Sequence, residues 1–332
     1  MGVWLVVAGM LLTGASMAKA GQPVRVAENR VPAIAGNPAI GSLPVNPASG
    51  MAALLTAAPK QIADTVQVER LIFCNQPERI SRHGVYAEAT VPAGQWTRIF
   101  FHYRNTTAAT GPLIVGFLGS AGVPLAVEVR KGIADPSNDP PTVGQQAMVR
   151  YMAAETTTFY GEKGYIRFPM ALRPWQVGSG VLTVRALNQD VQMRIYFGNA
   201  RGTVPGMRVA QFKTPLREMD VALSDEKIQD FVRIGMPEPE LRQQIDGTYG
   251  FLYAIRVRAP EGRKVRVLFS PRGGHSGLVG WWNGVMAQSR IAPVASWSVF
   301  GEATVGKDGL VLWTSPFGGV FYPVELAFHL ID

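Results

Sequence analysis

The sequence has few of the residues that cross-link or charge a protein. It contains a single cysteine, Cys74, so no disulfide can form within the chain. Only 17% of its residues are charged and 47% are hydrophobic, which excludes an intrinsically disordered protein. Apolar cores must therefore stabilise the chain, and 332 residues suffice for two of them. Cys74 ends the apolar run Leu71–Cys74 and is predicted to be a buried apolar side chain.

Motifs for metal, nucleophile and phosphate chemistry are also missing. None of the histidines His83, His102, His275 and His329 has the spacing of a zinc site. The sequence has no Gly-x-Ser-x-Gly elbow and no phosphate-binding loop. Its basic residues are not interleaved with aromatics as in a nucleic-acid-binding module. We therefore expect no enzyme activity, no cofactor and no nucleic-acid partner.

Carboxylates leave two kinds of site open. A weak calcium candidate is the proline-flanked loop with Asp135, Asn138 and Asp139, because it offers hard oxygen ligands, although such clusters are also ordinary turn residues. A hydrolase needs a carboxylate pair that only the fold can bring together. The acidic residues available for such a pair include Glu88, Glu128, Asp135, Asp139 and Glu155.

Long hydrophobic runs are confined to the beginning of the sequence. Residues 1–20 have the apolar run and the Ala18-Lys19-Ala20 site of a signal peptide, which predicts a mature start near Gly21. No lysine or arginine precedes the run, so retention as an anchor is the alternative. No transmembrane helix is expected after cleavage. Export predicts a secreted or cell-envelope location.

Proline and glycine are plentiful, with 24 and 36 residues. Prolines recur throughout residues 21–60, which predicts a leader without regular structure, flexible between the signal peptide and the first domain. Beyond the leader, short runs rich in β-branched and aromatic residues lie between glycine and proline turns. This pattern predicts an all-β fold of sandwich type.

An internal repeat indicates duplication. At a constant offset, residues 85–104 align with residues 253–272, and both segments show two period-two runs joined by a Pro-x-Gly turn. We interpret each segment as a hairpin that opens a sandwich. Similarly, residues 111–116 are matched with 277–280, and loop 173–178 with loop 315–319.

The predicted architecture is therefore two tandem, internally duplicated β-sandwich domains joined by a short helical connector. The first domain covers residues 61–204, the connector 205–249 and the second domain 250–332. Within the connector, a helix is predicted from Leu223 to Ile245, with Ser224 as its cap. Further strands are predicted at 123–130, 145–152, 165–172, 181–187, 191–198, 295–300, 309–314 and 320–330.

Exposed tryptophans beside arginines suggest a binding surface, because a flat ring stacks on sugars and a guanidinium holds anions. The weak binding candidates are Trp96, Arg98, Arg104, Trp175, Arg266, Arg272, Trp281 and Trp282. Packing between the two domains is the alternative explanation for these residues. We expect the arginines shared by the two repeats, Arg98 and Arg266, to serve the scaffold.

The net charge of +8 is concentrated in the first domain and favours anionic partners, although a merely solvated basic surface would also produce it. The first hypothesis is an exported, non-catalytic envelope or extracellular protein that serves as a structural or binding module. Its partner would be an anionic polysaccharide, a cell-wall polymer or a protein. The alternatives are a subunit of an extracellular assembly that pairs through sheet edges, and the hydrolase described above.

Overall fold

Short strands follow one another along the chain, as the apolar pattern predicts. The computed structural model describes residues 66–199, 201–239, 241, 242 and 244–331, and these residues are mostly β-structure. The predicted signal peptide and proline-rich leader lie outside this range. Among the described residues, no helix has the length and apolar character needed to cross a membrane.

The first half of the described chain, residues 66–213, forms two sheets with a core between them. Sheet A has the strand order β11-β1-β4-β9-β6-β7, with the short β2 beside β4, and sheet B has the order β3-β10-β5-β8. Inward side chains of both sheets form one apolar cluster, as in a β-sandwich. The elements are β1 (Arg70–Gln76), β2 (Arg79–Ile80), β3 (Gly84–Val91), β4 (Thr97–Asn105), β5 (Gly111–Leu118), β6 (Leu125–Ile133), α1 (Pro140–Ala153), β7 (Thr157–Gly161), β8 (Tyr165–Leu172), β9 (Val177–Ala186), β10 (Val191–Phe197) and β11 (Arg208–Lys213).

The second half, residues 216–331, repeats this arrangement. Sheet C has the order β12-β14-β19-β16-β17 and sheet D the order β13-β20-β15-β18. Their inward side chains share a second apolar cluster. The strands are β12 (Leu216–Ala222), β13 (Gln229–Ile234), β14 (Leu252–Arg258), β15 (Lys264–Pro271), β16 (Val279–Trp282), β17 (Val285–Gln288), β18 (Ser298–Thr304), β19 (Leu310–Thr314) and β20 (Val324–Ile331).

The two halves have the same strand order. If β1 is matched with β12 and β3 to β10 with β13 to β20, sheet C reproduces sheet A without β2 and β11, and sheet D reproduces sheet B. Even the parallel pair β1–β4 has its counterpart in the parallel pair β12–β14. Because parallel neighbours in an otherwise antiparallel sheet are unusual, this shared feature is informative.

The sequence alignment of the repeat is nevertheless wrong by one strand. It pairs β3 and β4 with β14 and β15, whereas the sheet positions match β4 and β5 with β14 and β15. Neither aligned segment is a hairpin, because β3 and β14 lie in different sheets from β4 and β15, the strands that follow them. The matches of residues 111–116 with 277–280 and of loop 173–178 with loop 315–319 are wrong for the same reason. Local alternation and a Pro-x-Gly turn do not distinguish a hairpin from a crossing between sheets.

Residues 145–152, predicted as a strand, lie in α1. Pro140 and Pro141 occupy its first turn, where their missing N–H groups cost nothing. Its buried residues, Val143, Gly144, Ala147, Met148, Tyr151 and Met152, follow a helical period. The strand prediction for residues 145–152 is therefore wrong.

The helix predicted from Leu223 to Ile245 is also wrong. Residues 229–234 form β13, which pairs with β20 at an edge of sheet D. Ser224 and Lys227 close a short turn before it. The segment 205–249 is therefore no helical connector, since β11, β12 and β13 belong to sheets of both halves. Ile228, Phe231 and Val232 would fall on one side of a helix, whereas Phe231 and Val232, as neighbours in β13, face opposite sides of sheet D.

Helix α1 occupies the position of a tight turn in the other half. It lies between β6 and β7, whereas their counterparts β16 and β17 are joined by Asn283 and Gly284. Both turn residues have positive φ, 51° and 73°, as a two-residue hairpin of this kind requires. The first half therefore carries an inserted helix that the second half lacks.

Backbone contact between glycines holds α1 against the second half. A Cβ on Gly144 would lie 1.8 Å from the carbonyl oxygen of Gly318, and a Cβ on Gly319 would lie 2.2 Å from that of Pro140. Gln145 adds a hydrogen bond from its Nε2 to the carbonyl oxygen of Ser289 at 2.7 Å. No side chain larger than hydrogen fits at Gly144 without separating these elements.

We expect Gly144→Ala to destabilise the protein, although alanine normally favours a helix. The added methyl group meets backbone, so the cost should be about 1–3 kcal/mol, as for overpacked cores. Gly306→Ala is the matched control, because a Cβ there meets nothing within 4 Å. Urea unfolding of both variants measures the difference. Equal stability of Gly144→Ala and the wild type would contradict the close contact.

Candidate functional site

The structure does not bring the eight predicted binding residues together. Trp96, Arg98 and Trp282 are buried, whereas Trp281 and Arg104 are half-buried. Trp175 is 62% exposed, in a turn between β8 and β9. Only Arg266 and Arg272 share a surface, the outer face of sheet D, where both form ion pairs. The eight residues thus divide between scaffold positions and exposed positions.

Two buried arginines lie beneath α1 on the outer face of sheet A. Arg98, Thr183 and Arg130 are cross-strand neighbours on β4, β9 and β6, and both arginines are at most 2% exposed. Arg98 donates from Nε to the hydroxyl of Tyr151 at 3.1 Å and from Nη1 to the carbonyl oxygen of Gly250 at 2.8 Å. It therefore links sheet A, α1 and the second half.

Arg130 and Trp281 satisfy carbonyl groups at the end of α1. Arg130 donates from Nη1 to the carbonyl oxygen of Ala154 at 2.5 Å, and Trp281 donates from Nε1 to that of Met152 at 3.2 Å. The last carbonyls of a helix have no partners within it and carry its negative dipole end, which favours a cation. Trp281 therefore serves the contact between the halves, as the alternative explanation expected.

His102 is buried in the same contact. Its side chain is 2% exposed and packs against Gly318, where a Cβ would lie 2.5 Å from Nδ1. Neither ring nitrogen has a hydrogen-bond partner within the described ranges. Burial, with a smaller contribution from the charge of Arg104, lowers the pKa of His102 from 6.5 to about 4. The imidazole is therefore neutral in the folded protein near pH 7.

The other tryptophans of the prediction are accounted for by packing. Trp96 lies beneath the Arg185 guanidinium, 4.6 Å from the ring centroid, and Arg185 is paired with Glu128. Trp282 packs edge-on against Phe328 in the core of the second half. Trp175, which has a positive φ of 68° in the turn between β8 and β9, is the exception: it is exposed, and it lies in the first half.

The acidic residues available for catalysis or calcium binding have separate partners. Glu88 pairs with Arg194, Glu128 with Arg185, and Asp135 with Arg150, while Asp139 accepts a hydrogen bond from the Thr142 hydroxyl at the start of α1. Glu155 is exposed. Across the ranges that the structure covers, no three histidine, cysteine, aspartate or glutamate residues group as a metal site. Calcium binding at Asp135, Asn138 and Asp139 stays a prediction.

An apolar row crosses the outer face of sheet D. Cross-strand neighbours Phe231, Ala327, Leu268 and Val299 supply one residue from each of the four strands. Trp297, which directly precedes β18, lies 6.3 Å from the Phe231 ring between centroids, although β13 and β18 are opposite edges of the sheet. The two rings therefore meet over the middle of the sheet, above Ala327, which is only 1% exposed.

Polar pairs flank this apolar row on both sides. On one side, Glu325 pairs with Arg233 and Arg272, and the Arg272 guanidinium lies 5.2 Å from the centroid of the Trp297 ring. On the other side, Arg266 pairs with Glu302, and Gln229 is hydrogen-bonded to His329. Burial, then the charge of Arg266, lowers the pKa of His329. We call this surface the sheet D face. It comprises the apolar row with Trp297 and the flanking polar residues Gln229, Arg233, Arg266, Arg272, Glu302, Glu325 and His329.

Sequence reasoning missed Trp297 and Phe231, the aromatic residues of the sheet D face. Phe231 was assigned to a helix, so its sheet neighbours could not be inferred. Trp297 is 37% exposed and Val299 is 57% exposed, and their period-two spacing was the available signal for an outward-facing pair.

Comparison with known proteins gives little guidance. No protein-family model matches the chain, and no characterised protein matches it in sequence. Among solved structures, the tandem CBM22 domains of Paenibacillus barcinonensis Xyn10C are 8% identical, with 76% of this chain and 99% of that chain covered and a TM-score of 0.18. The PBSX exported protein XepA is 9% identical, with 75% and 86% covered and a TM-score of 0.18. Similarity this weak carries no argument about fold or function.

The two arginines shared by the sequence repeat should differ in their effect on stability. Arg98→Ala leaves buried hydrogen-bonding groups without partners and should cost about 1–3 kcal/mol. Arg266→Ala removes only an exposed ion pair and should cost about 1 kcal/mol or less. Arg98→Lys keeps the charge but not the planar fork, so it should recover stability only in part. Urea unfolding measures all three, and equal losses for Arg98→Ala and Arg266→Ala would contradict the linking role of Arg98.

Stability should also fall in mild acid because of His102. His102 takes up a proton near pH 6.5 in the unfolded chain, whereas in the folded protein its imidazole is protonated only near pH 4. The stabilisation is therefore complete above pH 6.5 and lost towards pH 4, by up to about 3 kcal/mol. Unfolding curves of wild type and His102→Gln across this window measure it. The glutamine variant should lack this component, whereas His83→Gln, at an exposed position, should keep it.

Proposed function

We propose that the protein is an exported, non-catalytic binding module and that the sheet D face binds a polysaccharide chain. The supporting observation is the apolar row with the exposed Trp297 ring, bordered on both sides by polar pairs. A sugar ring has an apolar face of C–H groups and a rim of hydroxyls. Stacking on an aromatic ring uses the face, and hydrogen bonds to flanking side chains use the rim.

The charge pattern of the sheet D face favours a weakly charged or neutral sugar over a strongly anionic one. Arg266 is already neutralised by Glu302, and Arg233 and Arg272 share Glu325. A strongly anionic glycan or cell-wall polymer would have to compete with these carboxylates. Glu302 and Glu325 accept hydrogen bonds and the arginines donate them, so both roles of a hydroxyl are met.

The alternative functions have less support. Pairing through sheet edges is disfavoured at β8, which contains Pro169, and at β17, which has only four residues. A hydrolase needs a free carboxylate pair, and three of the residues named for it, Glu88, Glu128 and Asp135, each form an ion pair with a different arginine.

Duplication and export complete the proposal. The identical strand order of the two halves supports duplication of one sandwich, followed by insertion of α1. The apolar run and Ala-x-Ala site of residues 1–20 support export to the cell envelope or the medium.

Substitution of Trp297 tests the function directly. Trp297→Ala removes the stacking platform and should weaken retention on its polysaccharide about tenfold or more in affinity electrophoresis. Trp175→Ala is the matched control, since Trp175 is also exposed but lies in the first half. The panel should include cellulose, xylan, chitin and peptidoglycan. The proposal fails if none of them retains the wild type, or if the two variants behave alike.

A further inference from the structure

A small cavity opens at the edge of the first half, away from sheet D. Its volume is about 380 Å³, and it is lined by Lys131, Ile133, Arg150, Phe168 and Pro169. These residues come from β6, α1 and β8, so both sheets and the helix contribute. This volume is at the small end of the range for ligand-binding pockets, about 300–1,000 Å³, and suits one ring-sized group.

The cavity has an uncompensated positive charge. The Lys131 ammonium lies 4.5 Å from the Phe168 ring centroid and 4.9 Å from that of Phe159. Within the described part of the chain, no carboxylate lies within 4 Å of it. Arg150, by contrast, is held by Asp135 and by the carbonyl oxygen of Ile133. Burial lowers the pKa of Lys131.

The remaining walls are apolar. Ile133, Phe168 and Pro169 offer a surface that a bare inorganic anion would not use, since such an ion keeps its water. A ring that carries one carboxylate would use both features, with its charge on Lys131 and its C–H face on the apolar wall.

A second cation, Arg167, lies on β8, the strand that carries Phe168 and Pro169. Arg167 precedes Pro169 by two residues, so both lie on one face of β8, about 7 Å apart. Its guanidinium stacks on the exposed Tyr165 ring at 4.6 Å and has no carboxylate within 4 Å in the described residues. A repeating acidic polymer could therefore place a second charge beside the cavity.

We propose that this cavity binds an acidic sugar unit, with its carboxylate on the Lys131 ammonium and its ring against Phe168 and Pro169. The site is separate from the sheet D face and requires a different ligand charge. It would use part of the basic excess of the first half, which the sheet D face does not use.

Three probes test the cavity in the full chain by NMR titration: glucuronic acid, glucose and inorganic phosphate. Lys131→Met keeps an apolar stem between the two phenylalanines and removes the charge, whereas Lys131→Arg keeps the charge. Glucuronic acid should bind the wild type and Lys131→Arg, and bind Lys131→Met about tenfold more weakly. Thermal melts of the variants check that each is folded.

Four results would overturn this inference. They are no binding of glucuronic acid, equal binding of glucose, equal or tighter binding of phosphate, and unchanged binding to a folded Lys131→Met. Phosphate binding would indicate a simple anion site. Trp297→Ala separates this inference from the proposed function, because it should leave glucuronic acid binding intact. Loss of that binding in Trp297→Ala would assign the sugar acid to the sheet D face and remove the cavity's role.

Discussion

The arrangement of the two halves depends on the buried arginines beneath α1. Arg98 and Arg130 are withdrawn from water on the outer face of sheet A, which is costly unless their donors are satisfied. The satisfying groups are the Tyr151 hydroxyl, the helix-end carbonyl of Ala154 and the carbonyl of Gly250. If one of these acceptors moved away, a guanidinium donor would be left buried without its hydrogen bond. The two arginines therefore hold α1 on sheet A, and the Arg98–Gly250 hydrogen bond ties sheet A to the second half.

Aromatic packing reinforces the same contact. Phe73 and Phe100, on the outer face of sheet A, stack at 5.3 Å between ring centroids, and Tyr249 stacks on Phe100 at 5.8 Å. These side chains share one apolar cluster with the core of the second half. The outer face of sheet A is thus an interior surface, so its side chains are poor candidates for ligand binding. The sheet D face and the edge of the first half, by contrast, are not covered in this way.

The alternation of apolar and polar residues along short runs was enough to predict the β class, because it is typical of a half-buried strand. It was not enough to predict which strands pair. The turn after Val91 and the turn after Arg258 carry their strands into another sheet, yet locally each resembles a hairpin turn. Pairing is decided by partners far along the chain, such as β4 with β9. The repeat was for this reason recognised but aligned one strand too early.

The candidate site was predicted only in part, for a related reason. Arg266 and Arg272 were identified from sequence, but their companions Phe231 and Trp297 come from strands that a single segment does not reveal as neighbours. Arg98 was expected to serve the scaffold, and its contacts fit that role. Lys131 was not identified from the sequence, because a lysine without an ion-pair partner can be recognised only when the positions of all nearby carboxylates are known.

Helix α1 also makes the contact between the two halves asymmetric. The second half has only Asn283 and Gly284 where the first has α1. Among the described residues, the second half therefore has no helix between β16 and β17 with which to make the same contact. The docking geometry is directional, since the first half supplies the helix and the second half receives it.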